Sequence, residues 1–206
     1  MPPIVLVLKS GGDYDVRHVR WLCNQIWHWH PGHPVHLFTD LQRVSIAGVT
    51  VHPLLHDLSG WWSKLEIMDT SRLPGSILYL DLDVVIKGPL VRLLNHKRSA
   101  ILQGFKRKEG VNSSIMLLSP SVRKRIWYAW KKDPAGHRKR IGRAGDQKFI
   151  GDVAGHVMDR WQDVYPGTIT SGKLGKRNID RASVVVFHGK PRPWDTNLDW
   201  VPRLEA

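Results

Sequence analysis

Cysteine is almost missing from this chain of 206 residues, which has only Cys23. One thiol cannot close an internal disulfide, and the Cys/His spacings of zinc sites are not present. Cys23 lies in an apolar and aromatic stretch, which favours a small buried side chain over a nucleophile. This usage predicts a reducing, cytoplasmic location.

Long hydrophobic runs are missing as well. No apolar run approaches the roughly 20 residues that a membrane-spanning helix needs. The segment from Met1 to Lys9 is about one strand long and has no basic region before it, so it predicts a first β-strand and not a signal peptide. Neither a GxGxxG fingerprint nor a P-loop occurs, which argues against Rossmann dehydrogenases and P-loop NTPases.

Acidic residues are scarce in one part of the chain. Between Lys97 and Arg143 there are 14 Lys or Arg residues but only Glu109 and Asp133, so this stretch carries +12 of the formal net charge of +13. A generally basic surface would spread the charge evenly along the chain. The concentration therefore predicts a localised surface for a polyanion, with a merely solvated face as the alternative.

The order of apolar segments predicts an α/β fold with a mainly parallel central sheet flanked by helices, as one domain over residues 1–206. Predicted strands are Ile4–Leu8, Pro34–Thr39, Val49–Pro53, Ser76–Ile86, Ser99–Gly104, Ser114–Leu118 and Ala182–Phe187. Predicted helices are Asp15–Trp29, Trp62–Asp69, Val122–Lys132 and one that begins at Asp146. Lys132 to Gly145 combines glycine, proline and dense charge, which predicts a mobile loop.

Asp81 and Asp83 stand one residue apart within the apolar segment SILYLDLDVVI. In an extended strand, residues two apart point to the same face, so the two carboxylates are predicted to converge. Hard oxygen ligands suit Mn²⁺ or Mg²⁺, which complete their shells with phosphate oxygens and water. The pair therefore predicts a metal site that holds a diphosphate.

His188 begins the segment HGKPRPW after a late apolar strand. A neutral imidazole at a strand end can complete a metal site with two carboxylates. Gly189 allows close approach of a phosphate to the backbone, and Lys190 and Arg192 supply positive charge. The alternative is that His188 is a hydrogen-bonded core histidine.

Five segments follow one another along almost the whole chain: SKLEIMD at Ser63–Asp69, SILYLDLDVVI at Ser76–Ile86, VNSSIMLLS at Val111–Ser119, Gly145-Asp146-Gln147, and FHGKPRPW at Phe187–Trp194. In this order they resemble the GT-A glycosyltransferases, and within them family 8 and related phage and bacterial enzymes. The resemblance implies a GT-A type fold. It also implies transfer of a hexose from a UDP-sugar-type donor to an acceptor hydroxyl, with retention of configuration.

The resemblance also assigns site residues. It implies a Mn²⁺ or Mg²⁺ site at Asp81, Asp83 and His188, and catalytic positions beside the transferred sugar at Asp146 and Gln147. Implied donor-binding residues are Ser10, Tyr14, Lys64, Asp81, Leu82, Asn112, His188, Gly189, Lys190, Arg192 and Trp194. The interval from His188 to Trp194 is about two residues shorter than the family's usual one, which leaves both Lys190 and Arg192 as candidates for the main phosphate contact. From the residues alone, Asn112 is equally a turn residue and Asp146 equally a helix N-cap.

The basic stretch predicts the acceptor. Candidate polyanion-binding residues are Lys106, Arg107, Lys108, Arg123, Arg138, Lys139, Arg140 and Arg143, with Trp127, Tyr128 and Trp130 interleaved. Basic side chains with aromatic rings are typical of nucleic-acid binding, so the first hypothesis is a hydroxymethylated pyrimidine in phage DNA, reached by base flipping.

Two alternatives to a DNA acceptor stay open. Val122 to Lys132 can form a basic amphipathic helix, which predicts a lipopolysaccharide or other membrane-surface glycan as acceptor. The other alternative is a non-catalytic basic nucleic-acid-binding protein, in which the Asp-x-Asp pair is incidental.

Overall fold

A seven-stranded sheet forms the centre of the computed structural model, which describes residues 1–174 and 179–205. Its strands are β1 (Ile4–Leu8), β2 (Val35–Thr39), β3 (Val49–Pro53), β4 (Ile77–Leu80), β6 (Ala100–Gln103), β7 (Val111–Leu118) and β8 (Asp159–Arg160), in the spatial order β3-β2-β1-β4-β7-β6-β8. Only β7 runs antiparallel to its neighbours, β4 and β6. The sheet is therefore mainly parallel, as the sequence predicts.

A second sheet of three strands contains β5 (Val84–Ile86), β9 (Ile169–Ser171) and β10 (Val184–Val186). Strand β10 lies in the middle, antiparallel to β5 and parallel to β9. Val186 at the end of β10 pairs with Val84 at the start of β5. This register brings the segment after β10, which contains His188, to the same edge as Asp83.

Helices cover both faces of the large sheet. They are α1 (Val16–Trp29), α2 (Val91–Asn95), α3 (Pro120–Lys132), α4 (Pro134–Ile141), α5 (Gly145–Ala154) and α6 (Trp161–Val164), with a 3-10 helix at Gly60–Met68. Within residues 1–174 and 179–205, no helix combines the length and the apolar character that crossing a membrane requires.

The two faces of the sheet carry separate apolar cores. Ile4, Leu6 and Leu8 of β1 point into the core that contains α1, whereas Val5 points into the core that contains α3 and α5. Alternate residues of a strand face opposite sides of the sheet, so the sequence of a strand that is buried on both sides is a continuous apolar run. This explains why β1 was predictable from its sequence.

Two predicted elements are wrong. The segment Ser76–Ile86 is not one strand, because the chain leaves the large sheet after Leu80, turns at residues 81–83 and enters the second sheet at Val84. The two carboxylates therefore do not share a strand face. The predicted mobile loop contains α4, which Asp133 caps by accepting a hydrogen bond from the Gly136 amide at 2.9 Å.

Arg123 corrects the predicted polyanion surface. Its side chain is fully buried, and its guanidinium donates hydrogen bonds to the backbone carbonyls of Ile67, Asp69, Leu73 and Gly75 at 2.7–3.2 Å. Burial lowers the pKa of Arg123 to about 10. The guanidinium joins α3 to the 3-10 helix and the loop after it, so it is not available to a polyanion.

Replacing Arg123 with methionine is expected to lower the free energy of unfolding by about 3 kcal/mol, because several buried carbonyls lose their donor. Urea denaturation measures this change. The matched control is Lys124→Met on the exposed side of the same helix, which we expect to change stability by about 0.5 kcal/mol or less. Equal effects of the two substitutions would show that Arg123 does not hold these segments together.

Candidate active site

A pocket of about 540 Å³ opens where β1 and β4 end and β7 begins. Its lining contains most of the predicted site residues: Tyr14, Lys64, Asp81, Leu82, Asp83, Asn112, Asp146, Gln147, His188, Gly189 and Arg192. The volume is within the range of small-molecule sites. Ligands of α/β proteins collect at this edge of the sheet because the strands end there and the loops that follow them converge.

Lys64 joins the two ends of the pocket. Its ammonium Nζ lies 3.0 Å from Asp81 Oδ1 and 3.1 Å from Asp146 Oδ2, and it donates to Ser113 Oγ at 3.0 Å. Burial opposes the charge of Lys64, but Asp146 and Asp81 outweigh it and hold its pKa above the ordinary value. Ser113 Oγ in turn donates to Asp146 Oδ2 at 2.7 Å. The network fixes one oxygen of each carboxylate.

Asp83 lies at the centre of a second cluster. Its Oδ2 accepts hydrogen bonds from Tyr14 Oη at 3.0 Å and from Arg192 Nη1 at 2.6 Å. Burial, with the neighbouring Asp81, raises the pKa of Asp83 to about 6. Arg192 also lies 3.3 Å from Asp13, yet its buried Nε has no partner among the residues that the structure describes. Arg192 is thus a guanidinium inside the pocket with an unused donor.

His188 does not join the two aspartates. Its Nε2 lies 2.9 Å from Ser171 Oγ, and its ring stacks on Phe105. Burial, followed by the charges of Lys173 and Lys106, lowers the pKa of His188 and favours the neutral imidazole. In residues 1–174 and 179–205, no group of three or more His, Cys, Asp and Glu side chains is placed to hold a metal ion. The predicted three-ligand set is therefore not assembled.

Asp81 and Asp83 nevertheless fit a divalent cation. Tyr79 and Lys64 contact Asp81 Oδ1, and Tyr14 and Arg192 contact Asp83 Oδ2. Asp81 Oδ2 and Asp83 Oδ1 form no hydrogen bond or ion pair within the described chain, so each carboxylate keeps one oxygen for a ligand. Two carboxylate oxygens with phosphate oxygens and water make a suitable shell for Mg²⁺ or Mn²⁺.

Three predicted donor residues lie outside the pocket lining. Ser10 is turned towards Asp40, to which its amide and hydroxyl donate at 2.8 and 2.6 Å. Lys190 is exposed. Trp194 packs behind Tyr14, at 5.8 Å between ring centroids, and supports it from outside the pocket. Of the two basic residues left open by the sequence, the structure brings Arg192 into the site.

Asp146 is not an N-cap. Helix α5 begins one residue earlier, at Gly145, and its first turn has no side-chain cap. Asp146 instead points to Lys64 and Ser113. Asn112 has a local role, because its Oδ1 accepts a hydrogen bond from the Ser114 amide at 3.0 Å while the residue lines the pocket.

Several residues of the site were missed at the sequence level. Ser113 and Tyr79 hold the two carboxylates that Lys64 bridges, and Trp61 lies at the pocket next to Gly145. Ser113 is near the start of the segment VNSSIMLLS. Its position close to a strand end is the only feature of the sequence that points to a role in the site. The sequence does not distinguish Tyr79 and Trp61 from ordinary core aromatics, because it does not show which rings contact a polar side chain or line a pocket.

The predicted polyanion residues other than the buried Arg123 are spread over three places. Arg143 lines the pocket, while Lys106, Arg107 and Lys108 are exposed between β6 and β7. Arg138, Lys139 and Arg140 are exposed on α4. Trp127 and Trp130 are buried, so only Tyr128, at 67% exposure, offers a ring on this surface. Two of the three rings that the nucleic-acid hypothesis relied on are therefore not available to stack on bases.

A larger cavity of about 940 Å³ lies along α1, lined by Arg20, Trp29 and Trp200 among others. Among the described residues that line it, Glu205 is the one carboxylate, and none of the predicted site residues is present. Size alone does not make a site for chemistry, which needs convergent polar groups. The smaller pocket therefore remains the candidate active site.

Several solved glycosyltransferases have this fold at low sequence identity. GlyE of Streptococcus pneumoniae TIGR4 matches with a TM-score of 0.66 and 13% identity over 96% of this chain, which spans 57% of the GlyE chain. The galactosyltransferase LgtC, in complex with donor and acceptor sugar analogs, matches with a TM-score of 0.66 and 12% identity over 95% of this chain and 90% of its own. The bifunctional enzyme WbbM matches with a TM-score of 0.64 and 11% identity over 94% of this chain and 46% of its own.

No protein-family model and no curated protein sequence matches the chain. The structural matches concern the fold, since identities of 11–13% do not carry residue roles from one protein to another. They confirm the predicted fold class, including its mainly parallel sheet between helices. The chain therefore has the α/β fold of the GT-A glycosyltransferases.

Proposed function

We propose that this protein is a metal-dependent glycosyltransferase that moves a hexose from a UDP-sugar-type donor to an acceptor hydroxyl. The observation that carries the proposal is the bridge by Lys64 between Asp81 and Asp146. It links a carboxylate pair suited to a metal and diphosphate with a carboxylate suited to the sugar, in one pocket. The fold shared with glycosyltransferases supports this interpretation.

The donor would lie across the pocket with its diphosphate next to Asp81 and Asp83. A Mn²⁺ or Mg²⁺ ion held by these two carboxylates would neutralise the charge that develops on the leaving diphosphate. Arg192 adds a fixed positive charge beside Asp83, and its unpaired Nε is a donor for a phosphate oxygen. Tyr14 lines the same side of the pocket, and its ring, which has the Arg192 guanidinium over one face, would contact the nucleoside with the other.

The reactive end of the pocket contains Asp146 and Gln147. Lys64 and Ser113 hold Asp146 Oδ2, while Oδ1 forms no hydrogen bond within the described chain. In the transfer, a bond forms between the acceptor oxygen and the anomeric carbon, and the bond from that carbon to the diphosphate oxygen breaks. The diphosphate leaves with the electron pair and takes up the hydroxyl proton. Asp146 stabilises the positive charge that develops on the sugar. In this proposal the acceptor oxygen bonds to the face that the diphosphate leaves, so the step retains configuration, as the resemblance to family 8 implies.

Two acceptor classes were predicted from the basic stretch. The burial of Trp127 and Trp130 takes away ring contacts that a DNA acceptor would use. The LgtC structure contains an acceptor sugar analog, and LgtC has the same fold as this chain. We therefore favour a saccharide hydroxyl over a hydroxymethylated base as the acceptor.

Incubation with a panel of UDP- and GDP-sugars and Mn²⁺ tests the proposed function. We expect one UDP-sugar to release UDP and free or transferred sugar, detected by mass spectrometry, because a retaining site slowly transfers to water when no acceptor is present. Addition of EDTA should stop the release. Stable donors across the whole panel, with and without candidate acceptors, would contradict the proposal.

A further inference from the structure

Trp61 is a large ring exposed at the mouth of the candidate active site. Its side chain is 53% exposed although it lines the pocket. The indole lies directly on Gly145, since a Cβ atom at that position would be 2.6 Å from Trp61 Nε1. Gly145 also has a φ of +69°, so side chains are disfavoured there for two reasons. The close contact fixes the ring one residue away from Asp146.

The contacts give an order along the pocket. Tyr14 and Arg192 hold Asp83 at one end. Asp81 follows, and Lys64 connects it to Asp146. Trp61 contacts Gly145, which is the chain neighbour of Asp146. With the diphosphate at the aspartate pair and the sugar at Asp146, the ring of Trp61 lies beside the sugar, where an acceptor approaches.

Arg143 lies on the same wall of the pocket. It is exposed, and within the described chain its guanidinium forms neither a hydrogen bond nor an ion pair. The exposed basic residues of α4, Arg138, Lys139 and Arg140, precede it in the chain. Helix α4 and the turn after it contain no acidic residue. This wall therefore offers a free cation beside a free aromatic ring.

We propose that Trp61 and Arg143 form the acceptor subsite, and that the acceptor is an anionic saccharide, such as a sugar with a carboxylate or phosphate group. This inference rests on the proposed glycosyltransferase function. The apolar face of a sugar ring stacks on the indole, and the acidic group pairs with the guanidinium, which is suited to bidentate contact with carboxylate or phosphate.

A saccharide fits this wall better than DNA. Single-strand binding uses several rings on which successive bases stack. Among the described residues that line the pocket, Trp61 is the one strongly exposed ring, since Tyr14 is half-buried and Tyr79 and Phe187 are buried. Trp127 and Trp130 are buried and add no stacking surface. One ring with one adjacent cation matches a single charged sugar.

Steady-state kinetics with three acceptor types test the inference. The acceptors are a neutral methyl glycoside, methyl glucuronide or a sugar phosphate, and a duplex oligonucleotide with hydroxymethylcytosine. Wild-type protein should favour the anionic sugar. Trp61→Ala should raise the acceptor KM roughly ten-fold for both sugars. Trp61→Phe keeps an aromatic ring, so its KM should be much closer to that of the wild-type protein. Arg143→Gln should raise the KM roughly ten-fold for the anionic sugar only, with recovery in Arg143→Lys.

Matched controls come from α1. Trp29 and Arg20 are exposed and do not line the active-site pocket, so Trp29→Ala and Arg20→Gln should leave the acceptor KM unchanged. If the wild-type protein turns over no donor, the proposed function fails. If it transfers sugar but the variants at Trp61 and Arg143 keep the wild-type KM, only the acceptor subsite fails. Transfer to the oligonucleotide alone overturns the saccharide assignment.

Discussion

Replacement of Asp83 by asparagine is expected to reduce the rate of sugar transfer by about 1,000-fold or more. Asparagine keeps the shape of the side chain, but it removes one of the two negative charges that would bind a divalent cation. Arg192 also loses its charge pairing with Asp83 at 2.6 Å and keeps only the longer contact with Asp13 at 3.3 Å among the described residues. The measurement is kcat/KM for the donor found in the panel, at saturating Mn²⁺.

The fold should survive this substitution. Burial raises the pKa of Asp83, which means that its surroundings disfavour the charged form, so a neutral amide is tolerated there. Thermal unfolding followed by circular dichroism checks this expectation. Asp152→Asn is the matched control, since Asp152 pairs only with Lys148 on the exposed surface of α5. Transfer within a few-fold of wild type in Asp83→Asn would remove Asp83 from the donor site.

Replacement of Lys64 by methionine is expected to affect both activity and stability. Asp81 and Asp146 would lose their shared buried counter-ion, which is expected to cost about 3 kcal/mol of unfolding free energy. Transfer should fall by about 1,000-fold, because the two carboxylates would no longer be held in position. Lys148→Met, on the exposed side of α5, should change neither property by a comparable amount.

A double variant separates the two effects of Lys64. In Lys64→Met with Asp146→Asn, one uncompensated carboxylate is gone, so urea denaturation should recover part of the lost stability. Transfer should stay as low as in Lys64→Met, because Asp146→Asn removes the carboxylate proposed to act on the sugar. Full stability and full activity in Lys64→Met alone would show that the bridge does not organise the site.

The strands of the sheet were predictable because their signals are local. Strand β1 and strand β3 have the predicted bounds, and α1 begins one residue after its predicted start. The segment from Ser76 to Ile86 was predicted as one strand because its apolar character continues across Asp81 and Asp83. Whether a chain continues in one sheet or passes to another depends on distant partners, here the pairing of β5 with β10.

Arg123 shows why burial of charge is hard to predict. The buried residues of α3 are Val122, Arg123, Ile126, Trp127 and Trp130, so the arginine lies on the apolar side of the helix. That periodicity was visible in the sequence. The four carbonyls that satisfy the guanidinium come from another part of the chain, and nothing local indicates them.

Many of the residues predicted for the site line one pocket, but the sequence did not predict the contacts between them. The Asp-x-Asp pair and Asp146 line one pocket as the family resemblance implies, whereas His188 is turned towards Ser171. The bridge through Lys64 joins three segments that are far apart in sequence. Such a contact follows from the fold, and spacing along the chain does not reveal it.

Calorimetric titration of the wild-type protein with UDP, in Mn²⁺ and in EDTA, tests most directly whether Asp81 and Asp83 form a metal-dependent donor site. We expect saturable binding at one site in Mn²⁺ and a Kd at least about ten-fold weaker in EDTA, because no divalent cation then stands between the diphosphate and the two carboxylates. Equal affinity under the two conditions, or no binding of UDP in either, would contradict this assignment.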